Sequence, residues 1–314
     1  MSSLLVLCRF VHFTMVLMLF GAWVFGPLLL GRGDSHPVLH RRLARISTGL
    51  ATLALLSGVC WLLLITASMA DSWSAALDPA TVQLVLGKTF FGQVWSWHLL
   101  FNALLLGVLL SPLRTRLPLK LSLAALLLAT LAPVGHGAML DGLAGQLLIL
   151  NQIVHLSCVG VWLGGLMLLS LLLLQPNPTA MEGVLRRFSG VGYALVAGLL
   201  LSGLINVRVL TGHWWPTPLF SGFALILLIK ALLVSAMLGL ALLHRLRLPG
   251  CDQRLGALRN SVLLEWLLGV AAVAAVSLLG TLPPMQAVVG RTTCSRCRGA
   301  FNTPWATRKQ VLRA

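Results

Sequence analysis

The sequence predicts an all-α integral membrane protein, a polytopic bundle of about eight transmembrane helices. Three observations predict it. Of the 314 residues, 58% are hydrophobic and only 10% are charged, against about 25% charged in soluble domains. The mean hydropathy is +0.93. Eight apolar runs also approach the roughly 20 residues a helix needs to cross a bilayer. Backbone groups in lipid must be satisfied within their own segment, so these runs form helices and not open strands.

In chain order the expected spans are 4–30, 46–69, 91–110, 118–134, 146–174, 189–210, 219–243 and 261–282. The first is longer than a signal-peptide core and meets no small-residue cleavage site before the next charged loop, so it reads as a retained helix. The fourth is the shortest, and Pro133 ends it. Arg32, Arg41, Arg42 and Arg45 follow the first span, and Arg114, Arg116 and Lys120 follow the third. Arg186 and Arg187 precede the sixth, and Arg245, Arg247, Arg254 and Arg259 separate the last two. The alternate loops carry Asp71, Asp78, Asp141 and His213, with Lys88 the one lysine or arginine among them. The positive-inside bias therefore puts both termini on the outer face. The net charge of +16 is a topology signal on this reading, with the bilayer as partner and no nucleic acid.

One transmembrane domain is expected over 1–284, followed by a basic tail, 285–314, that is expected to be disordered. The tail's arginines run against an outer placement. Its Cys294-x-x-Cys297 is a single pair, which is a weak zinc or redox signal. One echo crosses the chain: Val11-His12 and Val154-His155 each open a helix, and each histidine is followed nine residues later by glycine, Gly21 and Gly164. A four-helix unit repeated twice would leave this pattern.

The residues that could carry chemistry are chiefly histidines. His12, His98 and His155 lie on the first, third and fifth spans, each roughly nine residues in from the outer face, or about 13 Å deep at 1.5 Å per residue. Ionisable groups in a bilayer are costly and mark functional sites by default. His12 and Met15 share a helix face at i, i+3, as do Trp95 and His98, and His155 and Cys158. Imidazole with thioether suits copper, and imidazole alone suits haem iron equally. His136 and Met139 lie in the outer loop Gly135-His136-Gly137-Ala138-Met139, whose small residues leave the imidazole unobstructed.

Lys230 falls near the middle of the seventh span, where an ammonium needs an anion, a water cavity or neutralisation. A haem propionate would be one such anion. Asn206, with Ser202 and Gly198, forms a small-polar stripe on the sixth span, read first as helix-packing surface and second as a ligand path. Gly160-x-x-x-Gly164 reads as a close helix approach. No nucleophile–base pair, phosphate loop or paired carboxylate is visible, so hydrolysis and phosphoryl transfer are not expected and the chain reads as a non-enzyme.

These residues carry a resemblance. The run from Gly135-His136-Gly137-Ala138 through His155-Leu156 to Trp162-Leu163-Gly164-Gly165-Leu166 is similar to the copper resistance protein D family. So are Arg187-Phe188-Ser189 leading to Ser202-Gly203-Leu204-Ile205-Asn206 and Thr211-Gly212, and Lys230-Ala231-Leu232-Leu233 ending in His244-Arg245. The likeness runs from about 5 to 284 and is best over 183–284.

It implies a bacterial inner-membrane protein of eight helices that moves copper ions from periplasm to cytoplasm with a CopC-type periplasmic copper-binding protein. It carries over His136, His155, Asn206 and Lys230, and His12 less directly. Arginine is common in the family near the place of His98. The expected site is thus His136 and Met139 at the mouth, with His12, Met15, His155 and His98 as a buried relay. Lys230 and Asn206 stand as cofactor contacts. Two alternatives stay open: a haem b-binding membrane cytochrome or redox enzyme using the same histidines, and a non-conducting partner of a periplasmic copper protein.

Overall fold

The structure, a computed structural model, describes residues 2–30, 37–134, 140, 142–174, 181–215, 222–247 and 255–282. They form helices α1 (Ser2–Leu30), α2 (Pro37–Met69), α3 (Pro79–Lys88), α4 (Phe90–Leu110), α5 (Leu117–Ala129), α6 (Gly142–Leu173), α7 (Met181–Thr211), α8 (Gly222–Arg247) and α9 (Leu255–Leu279). No strand occurs among the described residues, so the all-α polytopic bundle stands. The loop of His136 and Met139 and the Cys294–Cys297 tail lie outside the described residues.

Among the described residues, seven helices are long and apolar enough to cross a membrane. The expected span 118–134 is α5, with 13 residues, about 20 Å long against a hydrocarbon core of about 30 Å. Turns continue it through Val134. Arg9, near the start of α1, donates from Nη1 to the carbonyl of Gly280, just past the end of α9, at 3.0 Å. The start of α1 and the end of α9 therefore share a face. That requires an even number of crossings, so α5 with its flanking turns is the eighth.

Two features differ from the expected layout. Arg41, Arg42 and Arg45 belong to the first turns of α2, not to a loop. The segment after α2 holds an unexpected short helix, α3. Asp78 caps it, accepting from Thr81 Oγ1 at 2.5 Å and Thr81 N at 3.0 Å, and Pro79 stands in its first turn. The Thr81 hydroxyl, with the capping amides, holds the Asp78 carboxyl below the usual carboxylate range.

Packing divides the bundle into two groups of four spans. In the first, α1 packs on α2 and α5, and α4 on α5; in the second, α6 packs on α7 and α9, and α8 on α9. The groups meet where α1 crosses α6. A Cβ on Gly21 would collide with the backbone of Gly160 and Gly164, and one on Gly164 with Gly21 and Ala22. Small residues let two membrane helices approach to backbone contact. Lys120 Nζ ties α5 to α1 from 3.6 Å above the Trp23 ring.

Candidate metal centre

The centre of the first group is a pair of imidazoles. His12 on α1 and His98 on α4 are both fully buried, and their Nε2 atoms are 2.8 Å apart. Their other nitrogens fix how they stand. His12 Nδ1 lies 3.0 Å from the Ala54 carbonyl and 3.0 Å from Ser57 Oγ, both on α2. A carbonyl only accepts, and the Ser57 hydroxyl donates to Leu53 O at 2.7 Å. His12 Nδ1 must therefore carry the hydrogen, and His12 Nε2 faces His98 with a lone pair.

Two tautomers of His98 are compatible with its partners. Its Nδ1 lies 2.7 Å from Thr130 Oγ1, the hydroxyl at the end of α5. That hydroxyl is also 2.8 Å from Leu127 O and has one proton to give. If Thr130 donates to His98 Nδ1, then His98 Nε2–H donates to His12 and the pair is an ordinary hydrogen bond. If Thr130 donates to Leu127 O, His98 Nδ1 carries the hydrogen and two bare ε-nitrogens face each other. That arrangement needs a cation between them. The tautomer of His98, with the Thr130 hydroxyl turned to match, thus decides whether the two ε-nitrogens share a hydrogen or face each other bare.

Aromatic rings enclose the pair. Trp95 stacks on His98 at 4.5 Å between centroids, Trp61 meets His12 edge-on at 5.6 Å, and Trp95 lies 4.7 Å from Trp61. Trp95 Nε1 donates to Gly58 O at 2.9 Å, fastening α4 to α2. One turn nearer the start of α1, the Cys8 thiol donates to Ser57 O at 3.2 Å.

His155 does not join them. It sits on the other side of α1, with Nδ1 2.9 Å from Ser202 Oγ on α7. Among the described residues no three His, Cys, Asp or Glu side chains gather as a metal cage. The expected convergence of three imidazoles is therefore two plus one, and Met15 packs against the apolar core. His98, which only its depth recommended, is a full member of the pair.

The stripe on α7 is a seam for α6. Gly198 leaves room for Cys158 Sγ, and Ser202 takes His155. Asn206 accepts from Asn151 at 2.9 Å and donates to Gln152 at 2.9 Å. Beside this seam lies a cavity of about 190 Å³, lined by His155, Asn206, Gln152, Lys230 and Arg9 among apolar side chains. Sequence reasoning missed Arg9, Gln152 and Thr130. Arg9 was legible as a charge within the first span. Glu265 lies elsewhere, accepting from Trp162 Nε1 at 2.9 Å.

The site tests both candidate ligands. Imidazole–metal bonds of about 2.0–2.1 Å put two ligands of a tetrahedral centre about 3.3 Å apart. A widening of about half an ångström in that geometry, or of about 1.2 Å where the two imidazoles alone hold the ion in line, would admit an ion between His12 and His98. Haem does not fit this pair: the rings touch at 2.8 Å and leave no room for a macrocycle between them.

Fold and site together define a polytopic helical membrane protein with a buried two-imidazole centre. The chain belongs to the copper resistance protein D family: residues 1–146 match the profile of the copper resistance protein D-like N-terminal domain, and residues 182–279 that of copper resistance protein D. It is 30% identical to the inner membrane protein YebZ of Escherichia coli over 88% of this chain and 97% of that protein. It is 28% identical to copper resistance protein D of Pseudomonas syringae over 88% and 95%. It is 29% identical to the copper transport protein CutJ of Bacillus subtilis over 85% of this chain and 50% of that one. No solved structure matches the chain.

Proposed function

We propose that this protein is a multi-pass inner-membrane copper carrier that takes copper ions at its periplasmic face and passes them inward through the His12–His98 pair. One observation carries the reading: two buried imidazoles 2.8 Å apart in an aromatic box within the spans. Imidazole suits copper. Two ligands without a carboxylate hold the ion weakly enough to release it, which a relay requires.

The periplasmic side is the one where α1 starts and α9 ends, as the charge bias of the loops supports. His136 and Met139 capture the ion there, supplied by a CopC-type periplasmic copper-binding protein. For the ion to enter, the His98 Nε2 proton leaves with the ion's displaced water and Nδ1 takes one up, while Thr130 turns its hydroxyl to Leu127 O; the rings part and the ion sits between the two ε-nitrogens. The names of the relatives, copper resistance protein D and copper transport protein CutJ, support the cargo.

Copper accumulation in cells tests the reading. Cells expressing His12→Ala or His98→Ala protein accumulate no more copper than cells lacking the protein, while wild type raises it. Uptake by either variant equal to wild type sinks the transport claim.

A further inference from the structure

The second group of spans repeats the plan of the first with one exchange. His12 Nδ1 meets Ser57 Oγ, and His155 Nδ1 meets Ser202 Oγ. Each serine bonds the carbonyl four residues before it, Leu53 and Gly198. His98 lies on the third span of the first group and Lys230 on the third span of the second, where it lines the same cavity as His155. An ammonium thus stands where the first group has its second imidazole.

The surroundings change with it. Trp61, four residues after Ser57, and Trp95, three before His98, fill the first group. Asn206 and Leu227 hold the same offsets from Ser202 and Lys230, and both line the cavity. α2 packs on α4, but α7 has no comparable packing on α8. The smaller side chains leave the cavity of about 190 Å³.

Its charge is one-sided. Arg9 and Lys230 both line it, and no aspartate or glutamate among the described residues does. Arg9 is held by Gly280 O and lies 5.3 Å from the Trp61 ring centre, yet its Nε is buried with no partner among the described residues. Lys230 has no hydrogen-bonded partner among them either. Cations without an acidic neighbour inside a membrane are met by an anion, by water or by neutralisation, and two of them on one wall favour an anion. The amides of Gln152 and Asn206 beside them add neutral hydrogen-bonding groups, while Phe13, Val273 and Met237 supply apolar wall.

We infer that this cavity is a binding site for an acidic amphiphile, a carboxylate or phosphate head on an apolar body, with the head between Arg9 and Lys230 and the body along α8 and α9. The site is separate from the His12–His98 pair, so its failure and that of the copper reading are distinguishable.

Native mass spectrometry of the full-length protein in detergent tests it, with phosphatidylglycerol or phosphatidylcholine added. Wild type retains one phosphatidylglycerol and no phosphatidylcholine, and Lys230→Gln weakens retention about tenfold, the scale of one lost charge-assisted hydrogen bond. Lys230→Arg keeps the charge and retains the lipid, as does Lys88→Gln, whose lysine lies exposed at the end of α3. An absorption spectrum of the same samples separates the sources. A Soret band in wild type, lost in Lys230→Gln, assigns the head to haem propionates. Equal retention of the two lipids by wild type with no Soret band overturns the proposal, and so does a Lys230→Gln variant that holds its ligand as wild type does.

Discussion

The two groups of spans place a histidine on a serine in the same way and diverge at the third position. In the first, His98 and two tryptophans make a filled centre, with Trp95 and His98 both fully buried. In the second, Lys230, Asn206 and Leu227 leave a cavity with two cations on its wall. On the two readings proposed, a shared scaffold holds a soft cation on one side of the α1–α6 crossing and an anion on the other. The third side chain and the bulk beside it decide which.

The comparison depends first on the joint between the groups. Gly21→Leu should have the largest effect, because the added side chain meets backbone that cannot step aside. Overpacking costs about 1–3 kcal/mol where neighbours can adjust, and here the loss reaches or exceeds that upper end. Size-exclusion profiles in detergent should show aggregate; a monodisperse variant with wild-type melting would mean that the groups are not joined at this crossing.

Thr130→Val comes next. It leaves His98 Nδ1 buried without its hydroxyl partner, at about 1–3 kcal/mol. A fall in melting temperature together with weaker copper binding is expected, and unchanged binding would remove Thr130 from the mechanism. Trp95→Phe keeps the stack on His98 but strips the Gly58 carbonyl of its donor, at about 1 kcal/mol. Thermal unfolding reads it directly, and a wild-type melting curve would show that this bond does not hold α4 to α2.

Ser202→Ala is the mildest. Polar contacts between membrane helices average about 0.6 kcal/mol, so stability should shift little and copper binding not at all. A copper defect in this variant would place His155 back in the relay.

Much of the fold was legible because membrane helices announce themselves by length and apolarity, and the loops by their arginines. The short helix α3 escaped although its signal, Asp78 before Pro79, stands in the sequence; a ten-residue helix outside the bilayer carries no apolar run to draw attention. For the site, depth along a helix could be counted from the sequence, and it put His12, His98 and His155 at one level. Rotation about the helix axis could not. It is set by packing, here by the Gly21–Gly164 contact and the Trp95 bond to Gly58, and it turns His155 away from the other two. Arg9 was overlooked because one arginine near a helix end resembles a topology charge until Gly280 is seen beside it.

The central claim is that the imidazole pair, and not His155, holds the copper. Titration of the purified protein with Cu(I) against a coloured competing chelator tests it most directly, on wild type, His98→Ala and His155→Ala. The account predicts one reversibly bound ion in wild type and in His155→Ala, and none at that site in His98→Ala. Binding that survives in His98→Ala and disappears in His155→Ala would contradict it.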